Sequence, residues 1–274
     1  MPDAKIRDDL SLSYDVRGPE GSPWLVLITG FGGLQEGWFR QTAHFAKSFR
    51  VLTLDNRGAG RSGAVDSPTT MRDLAEDVAL LMDALGVAKA HVWGVSMGGK
   101  IAMELALGWP ERVDHLVLEN TTAGEDHRVE GSSDFLRGAH TGSEEHWLKV
   151  IVPLLFGRKY REANAASMLA FARSRVRNPA NPVGMARQWE AYLSFDAWDR
   201  LPRLTHPTLV LVGDEDAMTD PRNGSAIAER LPNAQFVTVP GGHSVHIENP
   251  AAVNAAVEAF LTADAASAGK GPAR

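Results

Sequence analysis

The chain has 274 residues, 44% of them hydrophobic and 23% charged, with 26 glycines and 15 prolines. That is the composition of a folded domain with a sizeable core, and it excludes disordered, collagen-like and coiled-coil classes. A formal charge of −6 lacks the basic excess of a nucleic-acid binder, and the absence of cysteine removes disulfides, zinc ribbons, thiol nucleophiles and iron–sulfur clusters together.

In chain order, Ala4 to Arg7 and Leu10 to Arg17 flank Asp8-Asp9, and the second stretch alternates as Leu-Ser-Leu-Ser-Tyr, which predicts a hairpin with one buried face. The runs Trp24 to Thr29, Val51 to Asp55, Ala90 to Val95, Val113 to Glu119, Thr208 to Gly213 and Gln235 to Val239 are short and nearly all apolar, as strands buried on both faces are. Helical patterns separate them at Trp38 to Lys47, Met71 to Leu85, Met97 to Leu107, Asn223 to Arg230 and Ala251 to Leu261. In the second of these, Met71, Leu74, Val78, Leu81 and Leu85 share a face, and Thr70 with Asp73 forms a predicted cap.

Strands alternating with helices predict an α/β fold with a mostly parallel sheet of eight strands and helices on both faces. Between residues 125 and 201 the rhythm breaks into a stretch rich in Trp, Phe, Met and Arg, read as a helical cap inserted at the carboxyl edge of a core formed by 1–124 and 202–262. Residues 263–274 are small and polar and are expected to form a flexible tail. No apolar run reaches the roughly 18 residues of a membrane span, and Met1 to Asp15 has no apolar leader core, so the expected location is cytoplasmic, away from membranes.

The strand ending at Val95 runs straight into Gly94-Val95-Ser96-Met97-Gly98-Gly99 and then a helical pattern. A serine on such a turn is lifted clear of the sheet, and its neighbours two before and two after must be small. A serine nucleophile needs a base for its proton and an acid to hold that base in the right tautomer. Gly213-Asp214-Glu215-Asp216 follows the next-to-last strand and Pro240-Gly241-Gly242-His243 follows the last, which gives the chain order serine, acid, histidine.

On these motifs the chain resembles the α/β-hydrolase family over nearly all its length apart from the cap and tail. Two further turns are similar to the family's: Thr29-Gly30-Phe31-Gly32-Gly33 after the third strand, and Asp55-Asn56-Arg57-Gly58-Ala59-Gly60-Arg61-Ser62 after the fourth. The resemblance implies Ser96 as nucleophile, His243 as base, Asp216 as acid, and the backbone N–H groups of Phe31 and Met97 as oxyanion hole, with no cofactor and no metal. It also places Thr29 where the family often has histidine, which leaves the bracing of that loop open. Glu119, at the end of the sixth strand, is the alternative acid, as some relatives keep theirs there.

The implied activity is that of a carboxylic ester hydrolase, an esterase or lactonase on a small-molecule substrate, with a resemblance in length and turn motifs to 3-oxoadipate enol-lactonase and related small esterases. Carbon–carbon bond hydrolases of ring-fission products, or a low-turnover receptor of the same fold, are the alternatives. Relatives with an aspartate nucleophile are disfavoured by Ser96.

Other features have simpler readings. Gly94 to Lys100 also spells a phosphate-loop pattern, but Ile101 stands where magnesium needs a hydroxyl. Asp214, Asp216 and Asp220 lack the glycine and closing glutamate of a calcium loop. His91 and His115 read as satisfied structural histidines, His246 as a packing or bonding residue, and Asp55 and Arg57 as braces of their turn. Phe135, Trp147, Phe156, Trp189 and Trp198 are expected to pack within the cap. Seven basic residues and one acid, Glu162, lie from Arg158 to Arg187; an exposed face is the expected reading, with attraction of anionic substrates as the alternative.

Overall fold

The computed structural model describes residues 1–64, 66–124, 143–178 and 180–268. Its strands are β1 (Asp3–Arg7), β2 (Leu10–Arg17), β3 (Trp24–Ile28), β4 (Arg50–Leu54), β5 (Ala90–Val95), β6 (Val113–Glu119), β7 (Thr208–Gly213) and β8 (Ala234–Val239). They form one sheet in the order β1-β2-β4-β3-β5-β6-β7-β8. The β1–β2 and β2–β4 pairs are antiparallel and the others parallel, so the carboxyl ends of β3 to β8 share one edge.

Alternation along each buried strand supplies two apolar faces. Leu25, Leu27, Trp93, Val117, Leu209 and Leu211 pack with Phe45 of α1 (Phe39–Phe45) and with Val253, Val257 and Phe260 of α7 (Pro250–Ala268). Val26, Ile28, Val92, Leu116, Leu118 and Val210 pack on the other side, against α2 (Met71–Ala84) and α3 (Met97–Gly108). Fully burying one such side chain is worth about 1.5–3 kcal/mol, which is why period-two runs apolar on both phases specify an interior strand. The predicted cap of α2 forms as a capping box, with Asp73 N–H donating to Thr70 Oγ1 (3.2 Å) and Thr70 N–H to Asp73 Oδ2 (2.8 Å).

Two expectations change. β8 is not buried on both faces; it is one of the two edge strands, with Phe236 exposed, and a short apolar run does not reveal whether its strand lies inside a sheet or at its border. α7 continues to Ala268, through the start of the expected tail, because Ala-Asp-Ala-Ala-Ser-Ala has the propensity to extend a helix already anchored on the core; residues 269–274 lie outside the described residues.

Between β6 and β7 the described chain is helical, with Glu144–His146, a π-helical turn Trp147–Ile151, Val152–Leu155, Arg158–Ala163, α4 (Ala165–Arg177), α5 (Pro182–Ser194) and a 3₁₀ turn Trp198–Arg203. Its first part builds small cores of its own, around Trp147, Ile151 and Ala172 and around Val152, Phe156 and Met168. Ala191, Phe195, Ala197 and Leu201 join the main core instead, so the attachment to the sheet layer begins before residue 201. Phe135 lies outside the described residues. α6 (Pro221–Arg230) links β7 to β8.

Candidate active site

Ser96 sits between β5 and α3 with φ 56° and ψ −120°, and it shares with Asn120 the distinction of positive φ among the described non-glycine residues. Such a conformation costs on the order of 1–3 kcal/mol and persists only where its surroundings enforce it. Here they do. Ser96 N–H donates to Glu119 O (2.9 Å), and Thr121 Oγ1 donates to Ser96 O (2.6 Å). A Cβ on Gly94 would stand 2.1 Å from Gly98 O, and one on Gly98 2.2 Å from Ile28 O, so both glycines flanking the serine are required by close backbone approach. Met97 is the first residue of α3, and the N–H groups of a first helical turn have no acceptor within the helix.

Asp216 and His243, which follow β7 and β8, are brought together. His243 Nδ1 lies 2.8 Å from Asp216 Oδ2, and both residues are buried. The Asp216 carboxylate is fixed by three more bonds: Oδ1 accepts the N–H groups of Met218 (2.8 Å) and Thr219 (2.9 Å), and Oδ2 accepts Thr219 Oγ1 (2.5 Å). Burial opposes a charge on His243, yet the charge and hydrogen bond of Asp216, joined by Glu119 and Glu248, outweigh it and raise the imidazole pKa above its ordinary value.

Glu119 does not contact this pair directly. Its Oε1 lies 2.6 Å from His246 Nδ1 and its Oε2 accepts Trp93 Nε1–H at 2.9 Å, so it belongs to a second buried histidine–carboxylate pair. Asn120, which composition and motif reasoning passed over, joins the parts. Its Nδ2 donates to His243 O (2.8 Å) and Gly242 O (3.2 Å), and its Oδ1 accepts Gly213 N–H (2.8 Å). The three residues 119–121 therefore hold the backbone of both Ser96 and His243. The available signal was an asparagine directly after a buried strand, since asparagine tolerates positive φ better than most residues.

The loop after β3 is braced from two sides. Asn56 Nδ2 donates to Thr29 O (3.0 Å) and lies 3.3 Å from Thr29 Oγ1, which supplies the bracing that the missing histidine left open. From α5, the fully buried Gln188 accepts Gly32 N–H (3.0 Å) and donates to Arg57 O (2.7 Å). The helix comes this close because Gly58 and Gly184 face each other, and a Cβ on Gly58 would reach 2.4 Å from Gly184 Cα. From α4, Arg175 Nη2 donates to Gly32 O (3.1 Å) with its guanidinium 5.3 Å over the Trp147 ring, while Arg173 and Arg177 are exposed. Phe31, whose N–H is the expected oxyanion donor, touches Trp189 with ring centroids 5.6 Å apart.

The remaining candidates are accounted for. Asp55 accepts the N–H groups of Gln35 (2.8 Å) and Arg61 (3.1 Å), and Arg57 forms a buried two-bond pair with Asp77 at 2.5 Å each, so both brace their turn. Lys100, the lysine of the phosphate-loop pattern, is buried over the rings of Tyr192 (4.1 Å) and Phe195 (5.0 Å). Asp214 accepts Gly241 N–H and Asp220 caps α6 through Arg222 N–H, so the acidic run is dispersed over separate bonds. Among the described residues no helix is long and apolar enough to cross a membrane.

Comparison with known proteins fits this architecture. Residues 23–250 match the family model described as the alpha/beta hydrolase fold. A putative carbamate hydrolase RutD of Caulobacter sp. (strain K31) is 32% identical over 93% of this chain and 97% of its own length. The 3-oxoadipate enol-lactonase 1 of Acinetobacter baylyi is 29% identical over 89% and 90%. Among solved structures, the enol-lactonase from Burkholderia xenovorans LB400 superposes with a TM-score of 0.84 at 30% identity, covering 95% of this chain and all (100%) of that one. With this sheet order and this match, the chain belongs to the α/β-hydrolase family and is a hydrolase.

Proposed function

We propose that the protein hydrolyses a carboxylic ester or lactone of a small molecule through an acyl-enzyme, with Ser96, His243 and Asp216 as its triad. The observation that carries this reading is the buried His243–Asp216 pair at 2.8 Å, on the same sheet edge as a serine held at positive φ. Because Asp216 accepts from Nδ1, the imidazole presents an unprotonated Nε2 as base. Ser96 Oγ attacks the carbonyl carbon, His243 takes its proton, and the carbonyl oxygen becomes an oxyanion. The N–H groups of Phe31 and Met97 are assigned to that oxyanion, where each donor is worth about 3 kcal/mol. His243 then protonates the leaving oxygen; in a lactone this oxygen stays in the same molecule. Water, deprotonated by His243, releases the acid and restores Ser96.

The carbamate hydrolase relatives favour one variation on this reading, since a carbamate offers the same kind of carbonyl to the same attack. The helices from Glu144 to Ser194 serve as the cap, holding the expected oxyanion loop through Gln188 and Arg175 and the histidine loop through Ser244 N–H to Leu155 O (2.8 Å).

The test is Ser96→Ala together with a serine-directed phosphonate. The variant is expected to fold normally and to lose hydrolysis of an aryl ester by several orders of magnitude, while the inhibitor adduct maps to Ser96 in the parent. Near-normal turnover by the variant would remove Ser96 as nucleophile.

A further inference from the structure

At the opposite end of β5 from Ser96, His91, Asp114 and His115 converge. Their separation from the serine along the strand is about 16 Å at the usual rise of ~3.3 Å per residue. The convergence has a backbone cause. Ala90 pairs with Val113 and Val92 with Leu116, so two residues of β6, Asp114 and His115, stand opposite the single residue His91. This is a β-bulge, the device by which a strand re-aims a side chain that regular alternation would send to the other face.

The result is three ligating atoms within 4.8 Å of one another. Asp114 Oδ2 lies 3.5 Å from His91 Nδ1 and 3.4 Å from His115 Nδ1. Ligands about 2.0–2.1 Å from a tetrahedral ion are separated by about 3.3–3.4 Å, so both distances approach a tetrahedral edge. His91 is only 7% exposed, and its Nδ1 makes no hydrogen bond although it faces this centre, contrary to the expectation of a satisfied structural histidine.

The surroundings suit a held ion. Phe49 and Phe260 pack edge-on against the two imidazoles, giving an apolar wall, and the Asp114 side chain is 41% exposed, giving an entrance. Lys89 Nζ lies 2.6 Å from Asp114 Oδ1, the oxygen turned away from this geometry, where it would orient the ligating carboxylate from outside while its charge weakens affinity.

We propose that His91, Asp114 and His115 form a site for one borderline divalent cation of the zinc type, bound through two imidazole nitrogens and one carboxylate oxygen and completed by water. An ion there would tie β5 to β6 at the bulge. The donor set favours Zn²⁺, Co²⁺, Ni²⁺ or Cu²⁺ over Mg²⁺ or Ca²⁺, which want oxygen ligands.

Titration of the full chain with Co²⁺, read by its visible ligand-field absorption, and thermal unfolding with and without Zn²⁺ test this without reference to turnover. A saturable Co²⁺ spectrum displaced by Zn²⁺, and a Zn²⁺-dependent rise in Tm, are expected. Asp114→Asn and His91→Gln should each weaken binding by roughly tenfold or more, whereas His44→Gln, which alters a separate histidine beside Glu258, should not. If His91→Gln fails to fold, the half-exposed Asp114→Asn decides. No saturable spectrum in the parent, or binding that survives Asp114→Asn unweakened, would overturn the site.

Discussion

Asp216→Asn and Glu119→Gln make a paired perturbation whose outcomes the hydrogen bonds separate. In Asp216→Asn the side-chain oxygen keeps the two backbone donors, Met218 N–H and Thr219 N–H, because the amide nitrogen cannot accept them. The NH₂ group then occupies the Oδ2 position facing His243 Nδ1. That nitrogen must become the acceptor, so the ring proton moves to Nε2, where the base is needed. A base locked in the wrong tautomer costs about 10⁴ in kcat, or about 5 kcal/mol of barrier, and the loop should stay folded since its two amide bonds survive.

Glu119→Gln has no such consequence. Its oxygen can accept Trp93 Nε1–H while its NH₂ donates to His246 Nδ1, so both partners stay satisfied. The loss is one negative charge acting on His243, for which a change below about tenfold, or ~1.4 kcal/mol, is expected. Steady-state kcat/KM on an aryl ester, with circular dichroism to verify folding, reads both. Asp216→Asn within tenfold of the parent, or Glu119→Gln falling as far as Asp216→Asn is expected to, would refute the assignment of the acid.

Three further outcomes follow from the same contacts. The raised pKa of His243 leaves it protonated, and useless as a base, to higher pH than an ordinary histidine; kcat/KM should therefore climb with pH along a limb centred above 6.5, and a pH-rate profile centred below that value would contradict it. Gln188→Leu strips partners from Gly32 N–H and Arg57 O, so kcat should drop about tenfold with KM nearly constant, as expected when a donor to the transition state is displaced; a pure KM effect would point to substrate contact instead. Arg175→Met should lower kcat/KM for an anionic ester more than for its neutral analogue and flatten the salt dependence of that preference, whereas the Arg173, Arg177 double glutamine variant should change it little; equal effects on both esters would leave Arg175 as a brace of Gly32 alone.

Most of the fold was legible because its strands are buried. Runs such as Trp24 to Thr29 and Ala90 to Val95 are apolar on both phases, and only a strand covered on two sides demands that. Gly94 and Gly98, two before and two after Ser96, were legible for a similar reason, as each is fixed by a backbone oxygen about 2 Å from where a Cβ would be. What stayed hidden depends on register between distant strands. Nothing near Asp114 in sequence announces that one extra residue in β6 turns it towards His91, and nothing in α5 announces that Gln188 reaches Gly32, 156 positions away. Arg173, Arg175 and Arg177 stand two positions apart on α4, too close for all three to share one helical face; packing beside Trp147 selects Arg175 as the one that turns inward.

The two histidine–carboxylate pairs show why residue type alone does not identify a catalytic base. His243 and His246 are three positions apart, each bonds a buried carboxylate through Nδ1, and each carboxylate follows or ends a neighbouring parallel strand. Their surroundings differ. Glu119 takes its remaining bond from Trp93 inside the sheet's apolar layer, and the His246 ring packs at a tilt with its centroid 4.8 Å from that of Trp38, also fully buried in that layer. Asp216 takes its remaining bonds from loop atoms at the carboxyl edge, where Ser96 also lies. A proton taken by His246 would be delivered into packed hydrocarbon, whereas His243 stands where the chain changes from strand to loop. The inner pair instead anchors Glu119, whose carbonyl receives Ser96 N–H, so its contribution reaches the chemistry through the strained backbone of the serine.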